Sequence, residues 1–236
     1  MATTLNTIIS RARKTLVEET VSATPFWTDA ELLEHAINGC RDLWKGIVDV
    51  YQDHFLTIDL TNVSLPASAT TASGVPSDCF RIKFIEPRDM GTYVNTFFFP
   101  KDYASDEFRR LRTLSAQDPQ GCIFNYDLVG AGPPVATPTL YIAPKVNSAL
   151  NLAVGYIASI PSNLTTASNN PVPGESDHAL EAWIIAWGRA KEREDRSPDP
   201  EWIKIYGDEK LGILTVVTPR QEDEPEVVEG LFEDYD

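Results

Sequence analysis

Apolar residues recur at helical spacing over one long stretch of the chain, Trp27 to Phe55. Leu33, Ala36, Ile37, Cys40, Leu43, Trp44 and Ile47 all fall on one face. The start of the stretch is written in its residues. Thr28 is a good N-cap, Glu31 three positions later completes a capping box, and Trp27 with Leu32 supplies a hydrophobic staple. About 27 residues at ~1.5 Å each predict roughly 40 Å of helix. A helix with so wide an apolar stripe needs cover. A first helix over 4–19 presents Leu5, Ile8, Ile9, Ala12 and Leu16 on one side, and a turn over 22–25 makes the two an α-hairpin.

After Phe55 the period shortens. Leu56, Ile58 and Leu60 alternate with polar residues, and so do Phe80, Ile82 and Phe84. Strands are predicted at 56–60, 80–84, 93–99, 122–128, 139–142 and 150–160. Between them lie a Ser-, Thr- and Ala-rich loop over 66–74, a short helix over 102–114 and a tight turn over 130–138. A linker over 161–174 follows, and then helical period returns. Leu180, Trp183, Ile184 and Trp187 share a face. Glu175 and Asp177 open that helix, and Arg189, Lys191 and Arg193 close it, as the helix dipole favours. Pro198 stops it, and Asp199 with Pro200 starts a fourth helix to about 214.

The expected fold is α+β, a four-helix bundle built from both chain ends with an inserted antiparallel β-domain. Residues 1–55 would form the helical hairpin and 56–161 the β-domain. Residues 162–218 would supply the linker and the C-terminal helices that complete the bundle, and 219–236 an acidic extended arm.

Composition refines this picture. The chain has 236 residues, 42% hydrophobic, enough for a sizeable core. No run of 18 apolar residues exists, so no transmembrane helix is expected, and the N-terminus lacks the pattern of a secretory signal. Cys40, Cys79 and Cys122 are odd in number and far apart, which suits buried free thiols in a reducing compartment. The net charge is −15, and the last eighteen residues hold eight acids and one base, so −7 of it sits in the arm. Such a chain has little electrostatic grip on nucleic acid. Val227, Val228, Leu231, Phe232 and Tyr235 stand among the acids of the arm, Glu222, Asp223 and Glu224 included. They are candidate anchors of an arm that orders on a partner while its carboxylates steer toward a basic groove.

Catalytic patterns are sparse. His35, His54 and His178 stand alone, without His or Cys at metal-ligand spacing, and no metal or cofactor is expected. There is no nucleophile elbow and no Walker-type loop. Gly130-Ala131-Gly132 leads into two prolines, which lack the N–H groups a phosphate cradle needs. Glu31, Glu34, Asp42 and Asp49 read as the solvated face of the long helix. Arg109, Arg110 and Arg112 form a basic cluster suited to phosphate or an acidic partner, and are a possible interface. These features favour a structural or interaction protein over an enzyme.

Four stretches, in order, carry a resemblance. They are Phe26-Trp27-Thr28-Asp29-Ala30-Glu31-Leu32-Leu33, followed by Ile37-Asn38, after an opening helix; Val75-Pro76-Ser77-Asp78-Cys79-Phe80-Arg81-Ile82; Pro138-Thr139-Leu140-Tyr141-Ile142-Ala143-Pro144 with Val154-Gly155-Tyr156-Ile157-Ala158-Ser159-Ile160-Pro161; and Val172-Pro173-Gly174-Glu175 before Asp177-His178-Ala179-Leu180-Glu181-Ala182-Trp183. Together they span about residues 4–214, and in order and spacing the chain resembles the head-to-tail adaptor (connector) proteins of tailed bacteriophages, those called tail tubular protein A included. The resemblance implies a homo-oligomeric ring of about twelve copies. That ring would dock under the portal protein, join capsid to tail or nozzle protein, and pass genomic DNA without sequence-specific binding. It implies a virion neck protein, assembled in the bacterial host cytoplasm, with no catalytic residues and no membrane partner. The alternatives are a tail-associated cell-wall glycoside hydrolase, which needs two carboxylates across a sugar-sized cleft, and a receptor- or sugar-binding virion protein using Tyr93, Phe97 and Phe99.

Overall fold

The capping box is formed. The Glu31 backbone N–H donates to Thr28 Oγ1 at 3.2 Å, and the Thr28 backbone N–H donates to Glu31 Oε2 at 2.8 Å. It opens the long helix in a computed structural model that describes residues 3–16, 26–60, 62–89, 91–93, 95–130, 138–161, 163–194 and 196–217. The 22–25 turn, most of the 130–138 turn and the arm 219–236 lie outside the described residues. The helices are α1 (Leu5–Thr15), α2 (Asp29–Val50), α3 (Asp106–Thr113), α4 (Asp177–Glu192) and α5 (Pro200–Val217). The strands are β1 (Leu56–Asp59), β2 (Ser64–Leu65), β3 (Cys79–Pro87), β4 (Phe97–Pro100), β5 (Ile123–Val129), β6 (Thr139–Ala143) and β7 (Leu150–Ala158). Among the described residues, no helix is long and apolar enough to cross a membrane.

The expected four-helix bundle is not what forms. The fold is α+β with five helices and two sheets, of four and three strands, among the described residues, and the helices are not a four-helix bundle drawn from both chain ends. Helix α4 packs against α1, α2 and α5, whereas α1 and α5 share no substantial interface. The cause lies in α4 itself. Ala179, Ala182, Ala186 and Gly188 are buried as well as Leu180, Ile184 and Ile185, so the helix is apolar or small on most sides. A helix of that kind is covered from several directions, which makes α4, not the long α2, the hub.

Helix α2 also ends early. The predicted stretch ran to Phe55, but the α-helix stops at Val50 and a 3₁₀ turn, Gln52–Phe55, follows. The break brings Phe55 back toward Trp44, ring centroids 6.2 Å apart, and sends β1 along β7. The 161–174 linker crosses the start of α1. There Leu5 and Asn6 donate their backbone N–H groups to the Ser168 and Thr166 carbonyls at 2.9 and 2.8 Å, so N–H groups with no partner inside the helix are satisfied.

The strands also depart from a single antiparallel domain. In the first sheet, β7 pairs antiparallel with β1, β2 and β3. In the second, β5 pairs antiparallel with β6 but parallel with β4. A parallel neighbour needs a crossover, and α3 lies in it, between β4 and β5. The two sheets share a second core around Leu65, Ile82, Phe124, Ile142, Leu150 and Tyr156. Trp44 links helices to sheet. Its Nε1 donates to the Ala158 carbonyl at 3.0 Å, and its ring meets Phe80 edge-on at 5.0 Å.

Candidate interaction surface

Helix α3 carries the arginine cluster, and its position follows from local chemistry. Ser105 caps it by accepting from the Phe108 N–H at 3.2 Å. Asp106 and Glu107 sit in the first turn and Arg110 and Arg112 in the last, matching the helix dipole. Phe108 is fully buried beside Tyr103, ring centroids 5.6 Å apart. The Tyr103 backbone N–H donates to Asp127 Oδ2 at 2.8 Å, and its ring lies 4.3 Å from that of Tyr141. Asp127 on β5 and Tyr141 on β6 are register partners. Helix α3 is therefore pinned to the face of the second sheet that points away from the shared core.

Within the cluster the three arginines differ. Arg112 is half-buried. It lies over the rings of Tyr103 and Tyr141 at 4.8 and 5.7 Å and donates to the Tyr103 hydroxyl at 2.6 Å. Arg109 is exposed and reaches Asp106 at only 3.8 Å, and Arg110 is exposed. An open pocket of about 350 Å³ lies here, lined by Thr70, Arg109, Arg112, Thr113 and Lys145. Among the described residues, no carboxylate lies within ion-pair reach of Arg110, Arg112 or Lys145. Uncompensated cations thus gather at one place on a chain of net charge −15. Lys145 and Thr70 were not legible as members of the cluster, because the fold brings them from distant loops. Thr70 arrives through its carbonyl, which accepts the Ile142 N–H at 2.9 Å.

Beside α3 the same sheet face is bare. Phe97, Phe99 and Ile123 are 53, 50 and 59% exposed, and Phe97 pairs with Ile123 across β4 and β5. Tyr93 does not join them. It is half-buried against the second core, so two of the three rings of the suggested aromatic platform face outward.

The supposed solvated face of the long helix is only partly so. Glu34 and Asp49 are exposed. Asp42 is covered by α5, where it accepts from Lys210 Nζ at 2.6 Å and from the Tyr206 hydroxyl. Burial opposes the Asp42 charge, yet those two hydrogen bonds hold the carboxyl below its usual range. Burial, then the bond to Asp42, pushes the Tyr206 phenol up.

Glu31 meets Lys191 Nζ at 2.8 Å. That hydrogen bond first, and the Thr28 N–H second, lower its pKa from 4.5 to about 2. The unfolded carboxyl takes its proton near the usual value and the folded one only near pH 2. The stabilisation is therefore complete above about pH 5 and lost as pH falls toward 2. The side chain is 41% exposed, so solvent screening leaves about 1 kcal/mol for cap and ion pair together. Glu31→Gln can keep the cap bond but not the charge, so urea unfolding should show about 0.5 kcal/mol of loss at pH 7, shrinking steadily as pH falls toward 2.

Burial sets the chemistry of the three cysteines and of His35. Burial pushes the Cys40 and Cys79 thiols up to about 12, and it raises the half-buried Cys122 as well. His35 stacks on Trp187 at 6.0 Å, and burial lowers its pKa. Among the described residues, no three His, Cys, Asp or Glu side chains gather as a metal site. Glu222, Asp223, Glu224, Val227, Val228, Leu231, Phe232 and Tyr235 lie outside the described residues. Comparison of the chain with protein-family profiles and with curated proteins finds no match to either.

Proposed function

We propose that this chain is a head-to-tail adaptor of a tailed bacteriophage, a structural virion protein without catalytic residues. About twelve copies would close a ring beneath the portal, receive the tail or nozzle below, and leave a lumen for the genome. The observation that supports this reading is that the four stretches carrying the resemblance meet in pairs, the first with the last and the second with the third. The first and last pack into one core, where Trp27 and Leu32 share a buried cluster with Val172, Ala179, Leu180 and Ala182. In the second and third, Asp78 accepts the Ser159 N–H at 2.7 Å through its carbonyl and the Tyr156 hydroxyl at 3.3 Å through its carboxylate. Stretches that clasp the fold together are the ones a shared architecture would keep. The net negative charge suits a passage in which DNA finds few phosphate contacts to hold it.

The test is cryo-electron microscopy of the full chain mixed with a portal protein from the same genome. Rings of about twelve subunits stacked on the portal are expected. A chain that stays monomeric with portal present would overturn the reading. One observation favours a second reading, a receptor- or sugar-binding virion protein: the half-exposed rings of Phe97 and Phe99. Binding of the purified chain to glycans of the host surface would support it.

A further inference from the structure

We infer that the acidic segment 219–236 of this chain docks on the outer face of the second sheet, in the Arg109–Arg112–Lys145 pocket and over Phe97, Phe99 and Ile123. The first argument is charge. In the pocket Arg112 and Lys145 have no carboxylate partner among the described residues, Arg109 reaches Asp106 only at 3.8 Å, and the segment holds eight acids and one base. The second is the mixture of chemistries. The outer face places an apolar patch beside the basic pocket, and the segment alternates the matching groups: Glu226, then Val227 and Val228, then Glu229, then Leu231 and Phe232, then Glu233 and Asp234. Exposed ion pairs alone contribute little, so apolar anchors beside them are what a specific contact requires. The third is reach. The segment follows α5, which ends at Val217, and eighteen residues extended at about 3.3 Å each cover roughly 60 Å.

The sequence pattern alone reads the segment as an arm seeking a basic groove, and reads the arginines as a surface seeking an acidic partner. The fold supplies what joins them. Lys145 and Thr70 complete the arginine pocket, and the second sheet sets the bare aromatic strip next to it. The segment arrives either from the same chain or from a neighbouring copy. Its docking stands whether or not the chain forms a ring on a portal.

The experiment places the photoreactive residue p-benzoylphenylalanine at Phe99, and separately at Ile123, in the full chain. Irradiation should give cross-links that map to 219–236, in a band of one chain for a segment docking on its own subunit or of two for a neighbour's. Arg109→Glu with Lys145→Glu should lower the yield about tenfold at unchanged thermal stability, since two attractive positions become repulsive. Raising the salt to 1 M, where the screening length shrinks to about 3 Å, should weaken it as well. Cross-links confined to other parts of the chain at both positions, or a yield that the double reversal leaves unchanged, would overturn the proposal.

Discussion

Replacing Trp27 with alanine is expected to destabilise the fold by about 3–5 kcal/mol, the range for truncating a buried aromatic. Trp27 is 5% exposed and stands where three helices meet. Its ring meets Phe26 edge-on at 4.8 Å, and its indole N–H reaches the Gly188 carbonyl in α4. Its own carbonyl accepts from Arg13 of α1 at 2.8 Å, and the same guanidinium holds Asp29 in the first turn of α2 at 2.7 Å. Truncation opens a cavity between α1, α2 and α4 and loosens the anchor of a buried cation. Trp27→Phe keeps an aromatic ring without the N–H donor, so it should lose about half as much. Denaturant unfolding of both variants measures this, and a loss below about 1 kcal/mol for the alanine variant would show that the three helices do not depend on this junction.

The contrast between Trp27 and α4 explains which parts of the fold the sequence disclosed. The start of α2 was legible because caps and staples are local, written within five residues of one another. The helices after the linker were legible for the same reason. The hub role of α4 was not. One face, Leu180 to Trp187, had the expected spacing, but the decisive residues were the small ones around it. Ala179, Ala182 and Ala186 read as neutral helix formers until neighbours are seen against them. The signal was present, since a helix with alanines on its remaining sides admits several partners, and reading only its strongest stripe concealed it.

The sheets failed to disclose themselves for a different reason. Six of the seven strands were found within a few residues and the two-residue β2 was missed, yet alternation says which face is buried and nothing about the partner. The parallel pairing of β4 with β5 is settled by a crossover of more than twenty residues and by contacts made only once both sheets close on one core. The candidate surface inherits the same limit. Three of its arginines are adjacent in sequence and were legible. Lys145, Thr70 and the bare strip of Phe97, Phe99 and Ile123 become one surface only through strand register.

A pair of glycine substitutions separates local strain from tertiary crowding, and the first should be among the most damaging in the chain. Gly74 and Gly121 both occupy the left-handed region, at φ +76 and +70. A β-carbon at Gly121 would meet nothing within 4 Å, so Gly121→Ala should cost only the conformational penalty, about 1 kcal/mol. A β-carbon at Gly74 would lie 1.9 Å from the backbone oxygen of Asn62. No side-chain rotation relieves a clash with backbone. The segment ending in Gly74 is held by reciprocal Ser64–Ser73 backbone bonds of 3.0 and 2.8 Å, and β2 is in turn paired with β7. Gly74→Ala therefore must either break that ladder or push β2 off the central strand. A loss of about 3 kcal/mol or more is expected, with hydrogen exchange accelerated at Ser64 and Ser73 before the rest of the sheet. Equal losses for the two variants would mean that the chain from Asn62 to Gly74 yields freely and that the close approach carries no energy of its own.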